Sequence, residues 1–202
     1  MKKFMVGCGV FFVIILIIAI SFGVYAKNKY NTLVTMDENV KSKWSQVENV
    51  YQRRMDLIPN LVSTVKGYAS HEKETFAAVT QARAKAGGTF NISKEVLNDP
   101  AMFQKFQQAQ NTLGGALQRL MVIQERYPEL KADKSFMGLQ SQLEGTENRI
   151  TVERKRFNEA AQTYNTFRKQ FPTIFFANMF DYSERPYFTA QEGADTAPKV
   201  EF

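Results

Sequence analysis

An apolar stretch at the N-terminus constrains this chain more than any other feature. Residues 4–26 carry no charged side chain, and a pair of lysines flanks them on each side: Lys2, Lys3, Lys27 and Lys29. As a helix, a stretch of this length spans roughly 34 Å, enough to cross a hydrocarbon core of about 30 Å. The pattern predicts a basic tail at 1–3 and a transmembrane anchor at 4–26, so the remainder lies beside a membrane.

Two other interpretations of this stretch are weaker. A cleaved signal peptide would end at the triplet Val24-Tyr25-Ala26, but the apolar region of such peptides runs only about 7–15 residues, and this one is longer. A lipoprotein signal would use Cys8, yet most of the apolar residues follow Cys8 instead of preceding it. We therefore expect an uncleaved anchor in which Cys8 is an ordinary small residue.

The charges around the anchor give conflicting indications of its orientation. The short basic start Met1-Lys2-Lys3 resembles an export signal and places the N-terminus in the cytoplasm and the following domain outside. The flank after the anchor holds more positive charges, namely Lys27, Lys29, Lys41 and Lys43, which favours the opposite orientation. We expect the domain to lie outside the cytoplasm, attached to the membrane by a single span.

The composition of the domain excludes several classes of function. The formal charge of +6 falls to +4 once Lys2 and Lys3 are set apart, and the remaining charge is not concentrated as in a nucleic-acid-binding protein. The only cysteine, Cys8, lies in the anchor, so the domain has neither disulfides nor thiolate metal sites. Its length suits one domain, expected at 30–190.

Helical signals begin soon after the anchor. Thr35 and Glu38 have the spacing of a capping box, and apolar residues then recur at helical intervals: Val40, Trp44, Val47 and Tyr51. Pro59 interrupts this stripe between apolar neighbours, which predicts a buried kink. The stripe continues to Gly87-Gly88, and a second break near Ser70 would divide it into two helices.

A second periodic segment follows a connecting loop at 89–98. Asp99 and Pro100 are typical of a helix N-cap and first helical position, and one face of the helix is apolar: Phe103, Phe106, Leu113, Leu117 and Leu120. Gly114-Gly115 in its middle predicts the close approach of another helix. Tyr127-Pro128 ends the segment.

The last long helix has a seven-residue repeat. Its apolar positions are Phe136, Leu143, Ile150, Phe157, Tyr164 and Phe171. Leu139, Ala160 and Phe167 occupy the intervening position, which Thr146 and Glu153 interrupt. Such a repeat is the packing pattern of antiparallel bundles. We therefore predict that Leu143, Ile150 and Phe157 are buried and that Pro172 ends the helix.

Aromatic residues crowd the chain after Pro172. Between Ile174 and Phe188 lie the candidate interaction residues Phe175, Phe176, Phe180, Tyr182, Tyr187 and Phe188. A short helix and loop that cap one end of the bundle explain them most simply. The alternative is an exposed patch that docks a partner or the membrane interface. Residues 191–202 are small and polar, which predicts a disordered tail.

The sequence offers little catalytic chemistry. His71 is the only histidine, so a multi-histidine metal site or a serine triad lacks parts, and no phosphate-binding loop is present. The basic clusters Arg53-Arg54, Arg154-Lys155-Arg156 and Arg168-Lys169 are typical of solvated helix faces. We expect no enzyme, no metal and no cofactor.

Much of the chain after the anchor resembles the LemA family of bacterial membrane proteins. The resemblance lies in Tyr30–Gly88, which contains RRMDLIPNLV, in Arg126–Ile150, which contains YPELKAD, in Phe157–Phe167, and in the ending FP…ERPYF. It implies an antiparallel four-helix bundle, one N-terminal span in the bacterial inner membrane, and no catalytic residues. It also implies that Asp56, Pro59, Asn60 and the 126–133 turn contribute to function.

Relatives in the family include a protein of the magnetosome membrane, and some family genes lie beside genes for membrane metalloproteases. The partners that follow are the lipid bilayer and an unidentified membrane protein, for which a membrane protease is one candidate, but no nucleic acid. We predict an all-α, up-and-down bundle that acts as an interaction or scaffold module. The alternatives are a self-assembling protein that shapes or monitors the membrane, and an enzyme with an unrecognised carboxylate or tyrosine site.

Overall fold

The computed structural model describes residues 2–89 and 96–189, and the side chains from residue 11 onward. Within these ranges it forms six α-helices and no strand. They are α1 (Lys2–Tyr68), α2 (Lys73–Gly88), α3 (Pro100–Val122), α4 (Pro128–Lys131), α5 (Lys134–Lys169) and α6 (Thr173–Met179), with a 3₁₀ turn at Ile123–Arg126. The predicted tail at 191–202 and most of the predicted loop at 89–98 lie outside the described residues.

Helix α1 continues from the apolar stretch into the domain without a break, so the predicted helix start at Thr35 is wrong. Thr35 donates a hydrogen bond to the carbonyl of Asn31, 3.0 Å away, which places its hydroxyl along the helix instead of at a cap. The segment 24–34 contains neither glycine nor proline, so nothing in it stops a helix.

Helix α1 also continues through Pro59, whose side chain is exposed, which corrects the prediction of a buried kink. Proline has no N–H to bond the carbonyl four residues earlier, here that of Met55. The Nε–H of Arg83 on α2 donates to this carbonyl at 3.2 Å and supplies the missing bond. The predicted break near Ser70 is confirmed, because α1 ends at Tyr68 and α2 begins at Lys73.

The helices form the predicted all-α antiparallel bundle. Helix α5 runs back along α1: Glu147 meets Arg54, and farther along α5 Phe157 meets Trp44. Helix α2 returns along the distal end of α1, and α3 runs antiparallel to α2. Because α2 is short, it covers only the distal half of the bundle.

The core has two halves. The half nearer the apolar stretch is aromatic and centres on Trp44, with Phe103, Phe106, Phe157 and Phe188 around it. The distal half is mostly aliphatic, and α2, α3 and the start of α5 enclose it. The division corresponds to the helices present, since larger side chains fill the half that α2 does not reach.

A buried polar contact lies between α1, α3 and α5. Arg54 is 3% exposed; it donates to the side-chain oxygen of Gln110 at 2.5 Å and to Glu147 at 2.9 Å. The solvated face predicted for Arg53-Arg54 therefore holds for Arg53 alone. A guanidinium enters a core only where charged and polar acceptors meet it, so this contact fixes the three helices in register.

The seven-residue repeat is confirmed along α5 up to Tyr164. Its members from Phe136 to Tyr164 are buried, but Phe171 lies past the helix end and is 82% exposed. Thr146, which interrupts the repeat, is buried with its hydroxyl bonded to the Gln142 carbonyl. The close helix contact predicted at Gly114-Gly115 is wrong, because a Cβ at either residue would meet nothing within 4 Å.

The cap of α5 gives a test that depends on pH. Asp133 accepts a hydrogen bond from the Phe136 N–H and another from the Tyr68 hydroxyl, and both hold its pKa below the usual 3.8. The carboxylate therefore stabilises the fold at neutral pH, and this contribution is lost as the pH falls below about 3.8 through the lowered pKa. We expect Asp133→Ala to have a lower urea midpoint than the wild type at pH 7, by a margin that shrinks toward pH 3.

Tyr68→Phe provides the matched comparison. It removes the hydroxyl donor but leaves the backbone cap intact, so the pKa of Asp133 should rise toward 3.8 in a carboxyl NMR titration. A margin between the wild type and Asp133→Ala that stays constant from pH 7 to pH 3 would contradict this account.

Candidate interaction site

Residues 182–189 form an extended segment that takes the place of a helix beside the aromatic half of the core. Two asparagines on one face of α5 hold its backbone. Asn165 donates to the Arg185 carbonyl at 2.8 Å and accepts from the Arg185 N–H at 2.9 Å. Asn158 makes the same pair of bonds with Phe188, both at 2.9 Å. The amide side chains thus pair with the segment as a neighbouring strand would.

The segment brings Arg185 into the protein, where it is 6% exposed. Its guanidinium donates to Asp37 on α1 at 2.5 Å and also to the Leu97 carbonyl and Asn98. The ammonium of Lys41 lies 2.9 Å from the other oxygen of Asp37. Asp37 is therefore the shared partner of two cations, and the pair with Arg185 links chain positions 148 residues apart.

A cleft of about 990 Å³ opens beside this ion pair. Helix α1, residues 97–98 and the turn after α6 line it, with contributions from Asp37, Lys41, Trp44, Ser45, Glu48, Phe180, Asp181, Tyr182 and Arg185. Two buried donors of its walls, Trp44 Nε1 and Arg185 Nε, have no hydrogen-bond partner. Within the described residues, neither Glu48 nor Asp181 forms an ion pair. Glu48 and Asp181 thus leave unpaired acceptors in the cleft, while the two unpaired donors are buried in its walls.

Lys41, Tyr164 and Tyr182, at or near the cleft, have raised pKa values. Hydrogen bonds to Glu38 and Asp37 raise the pKa of Lys41 and keep it charged. Burial raises the pKa of Tyr164 to about 12, and burial together with a hydrogen bond to Tyr30 raises that of Tyr182. Each tyrosine is shifted away from the phenolate that a general base would need.

The structure divides the predicted aromatic set into three groups. Phe176 and Phe188 are buried in the core, so for these two the capping interpretation holds. Phe180 and Tyr182 line the cleft. Phe175 is 62% exposed. Tyr187 is 38% exposed, and its hydroxyl accepts a hydrogen bond from Asn165 at 2.9 Å instead of lining the cleft.

The other predicted set, Asp56, Pro59 and Asn60, lies far from the cleft on the exposed side of α1. Asp56 accepts a hydrogen bond from Gln52 on its own helix, and the Asn60 carbonyl accepts one from Thr64. The Met55 carbonyl freed by Pro59 attaches α1 to α2 through Arg83. These contacts give the segment a part in bundle assembly.

Sequence reasoning missed Asp37, Trp44 and Arg185 as site residues. Asp37 lies within the predicted capping box at 35–38, and Trp44 belongs to the predicted apolar stripe, so neither was assigned to a site. Only the single arginine among aromatic residues in ERPYF signalled a buried cation that needs an acidic partner. Among the residues that the structure describes, no group of three or more histidine, cysteine or acidic side chains is placed to hold a metal.

Fold and site together define a class of protein. It is an all-α bundle built on a helix whose N-terminal part is long and apolar enough to cross a membrane, with a polar cleft near the bundle end next to that part. The LemA family matches residues 43–202, and the chain belongs to this family.

Individual relatives agree with this assignment. The chain is 29% identical over 183 residues to magnetosome protein MamQ 1 of Paramagnetospirillum magneticum, a match that covers 83% of this chain and 67% of the relative. MamQ of Magnetospirillum gryphiswaldense matches with the same figures. Protein LemA of Metamycoplasma hominis is 26% identical over 178 residues, covering 88% of this chain and 76% of that protein.

Proposed function

We propose that this protein is a membrane-anchored interaction module that holds a segment of a neighbouring membrane protein in the cleft beside Asp37 and Arg185. The observation that carries the proposal is the cleft itself, with carboxylates free of ion pairs and unpaired buried donors in its walls. A family assignment without a catalytic motif favours binding over catalysis. The anchor would sit in a bacterial inner membrane with the bundle outside the cytoplasm.

The position of the cleft selects partners close to the bilayer. Asp37 follows Lys27, the first charged residue after the apolar stretch, by ten residues, which is about 15 Å of helix. The turn after α6 closes the cleft on the same side, because Phe180 packs on Tyr30 at 4.7 Å. A partner segment that emerges from the membrane can therefore reach the cleft, which lies only about 15 Å of helix beyond Lys27.

The charges of the cleft specify the chemistry of the occupant. Asp37 is already neutralised by Arg185 and Lys41, which leaves Glu48 and Asp181 to attract a basic side chain. Phe180 and Tyr182 offer aromatic surface beside them, where a lysine or arginine binds favourably. The expected occupant is a juxtamembrane segment with at least one basic residue; a membrane protease is one candidate for the protein that carries it.

Site-specific photocrosslinking in native membranes tests this function. A photoreactive amino acid at Ser45, an exposed position in the cleft wall, should give one discrete adduct with another protein. The same probe at Ser141, exposed on the distal part of α5, serves as the control. The double variant Glu48→Gln, Asp181→Asn should reduce the adduct several-fold with an unchanged urea midpoint; asparagine retains the positive φ of 56° at residue 181.

The outcomes separate the alternatives. An adduct of twice the mass of this chain would support self-assembly in place of partner binding. Equal yields from Ser45 and Ser141, or a yield that the double variant leaves unchanged, would contradict the cleft as the contact site.

A further inference from the structure

Helix α6 carries an apolar face that the bundle does not cover. Phe175 and Met179 are four residues apart in the helix, so they lie on one side of it. Phe171, just before the helix, joins them, since its ring lies 5.8 Å from that of Phe175. The three side chains are 82%, 62% and 66% exposed at Phe171, Phe175 and Met179, and together they form a patch that water solvates poorly.

The opposite face of α6 fixes the helix beside the apolar part of α1. Phe176 and Ala177 are buried, and the Phe176 ring lies 6.2 Å from that of Phe22. Farther along, Phe180 packs on Tyr30. Helix α6 therefore lies level with residues 22–30, where the apolar stretch gives way to Lys27 and Lys29.

The patch is continuous with the surface of the candidate span. From Phe11 to Tyr25 the large apolar side chains of α1 are about half exposed or more, apart from Tyr25 at 40%. Phe22 lies about 7.5 Å of helix before Lys27. An amphipathic helix at a bilayer surface buries its apolar face about 5–10 Å deep. Helix α6 thus lies at the depth of an interfacial helix, assuming that α1 spans the membrane.

Lysines lie near residues 22–30, the level of α6, as they do where a protein crosses a membrane interface. Lys29 lies 5.1 Å from the Phe167 ring and 5.5 Å from the Tyr25 ring, which directs its ammonium along aromatic surface. Lys27 is exposed. Lys169, two residues before Phe171 at the end of α5, is paired with Glu184 at 2.5 Å, so Lys27 and Lys29 are the cations that this level offers to headgroups. At a membrane interface, aromatic side chains lie at the level of the headgroups, and neighbouring lysines extend their charges into the headgroup layer.

We propose that the α6 face formed by Phe171, Phe175 and Met179 is inserted into the bilayer that α1 spans, at the boundary between headgroups and acyl chains. The occupant of this face is lipid. Two attachments, the span and α6, then hold the bundle at a fixed tilt and keep the cleft at a constant height. The inference rests on the proposed membrane anchoring and is independent of what the cleft binds.

Spin labels in the full chain test the proposal. In a Cys8→Ser background, single cysteines at Phe175 and Met179 are labelled. Val24→Cys, 54% exposed on the candidate span, is the control for the span, and Thr166→Cys, exposed on α5, is the control for water. The proteins are placed in nanodiscs of phosphatidylcholine with phosphatidylglycerol. Labels at 175 and 179 should collide with oxygen as readily as the label at 24 does, and several-fold less with a water-soluble nickel complex than the label at 166 does.

Each contrary result has its own meaning. A label at 175 that behaves like the one at 166, while the one at 24 is in lipid, would overturn the inference and leave the anchor intact. A water-exposed label at 24 would overturn the anchoring itself. Low collision with both reagents, together with dipolar broadening between labels, would show that a second copy covers the face, which also contradicts lipid insertion.

Discussion

Asp37→Ala is expected to destabilise the protein by about 3–5 kcal/mol, because it leaves a buried guanidinium without its charged partner. Arg185 and Asp37 are 6% and 5% exposed, so the guanidinium has little contact with water while the segment 182–189 stays docked. The free energy of unfolding, measured by urea in detergent micelles with the full chain, should fall accordingly. Lys41 does not compensate, since it loses the same carboxylate.

The double variant Asp37→Leu, Arg185→Met is the matched control. It removes both charges and nearly conserves their combined volume, so it should recover most of the stability lost in Asp37→Ala. The losses of the single variants Asp37→Leu and Arg185→Met should therefore not add, which is the signature of directly coupled residues. A double variant as unstable as the sum of the single variants would mean that the two residues act separately.

Much of the bundle follows from local patterns. The repeat from Phe136 to Tyr164, the cap at Asp99 and the break near Ser70 are properties of a few neighbouring residues, and each of them appears as predicted. The resemblance to the LemA family implied four helices, a number that the periodicity alone left open, and it corresponds to the four long helices α1, α2, α3 and α5.

The cleft depends on contacts that no local pattern contains. Asp37 and Arg185 are 148 positions apart, and either residue alone is typical of a solvated surface. Asn158 and Asn165 also have ordinary helix-surface identities until an extended segment lies beside them. Residues whose partners are distant and whose chemistry suits water as well as a core could not be assigned from the sequence.

The errors at Thr35 and at Gly114-Gly115 have a common cause. A capping residue and a glycine pair each permit a structure without requiring it. The helix before Thr35 was free to continue, and the surface beside the glycines is open. Residues that only permit a helix start or a close helix contact therefore predict local structure less reliably than residues that require it.

Phe157→Ala should strongly destabilise the aromatic half of the core, by about 3–5 kcal/mol of unfolding free energy. The Phe157 side chain is 0% exposed and touches three other rings, those of Trp44, Phe103 and Phe188, at centroid distances of 5.5, 5.9 and 5.6 Å. Truncation leaves a cavity among large rigid groups that cannot collapse into it. Val152→Ala on the same helix, 46% exposed, should change stability by under about 0.5 kcal/mol.

Trp44 makes this variant informative about the cleft as well. It is the only tryptophan of the chain, and it contacts both Phe157 and the cleft. Its fluorescence therefore reports urea unfolding and, below the transition, any shift of the cleft wall. If Phe157 supports that wall, Phe157→Ala should shift the native emission, whereas Val152→Ala should not. An unchanged urea midpoint in Phe157→Ala would show that the repeat does not mark the core, and an unchanged native emission would show that the cleft is built independently of it.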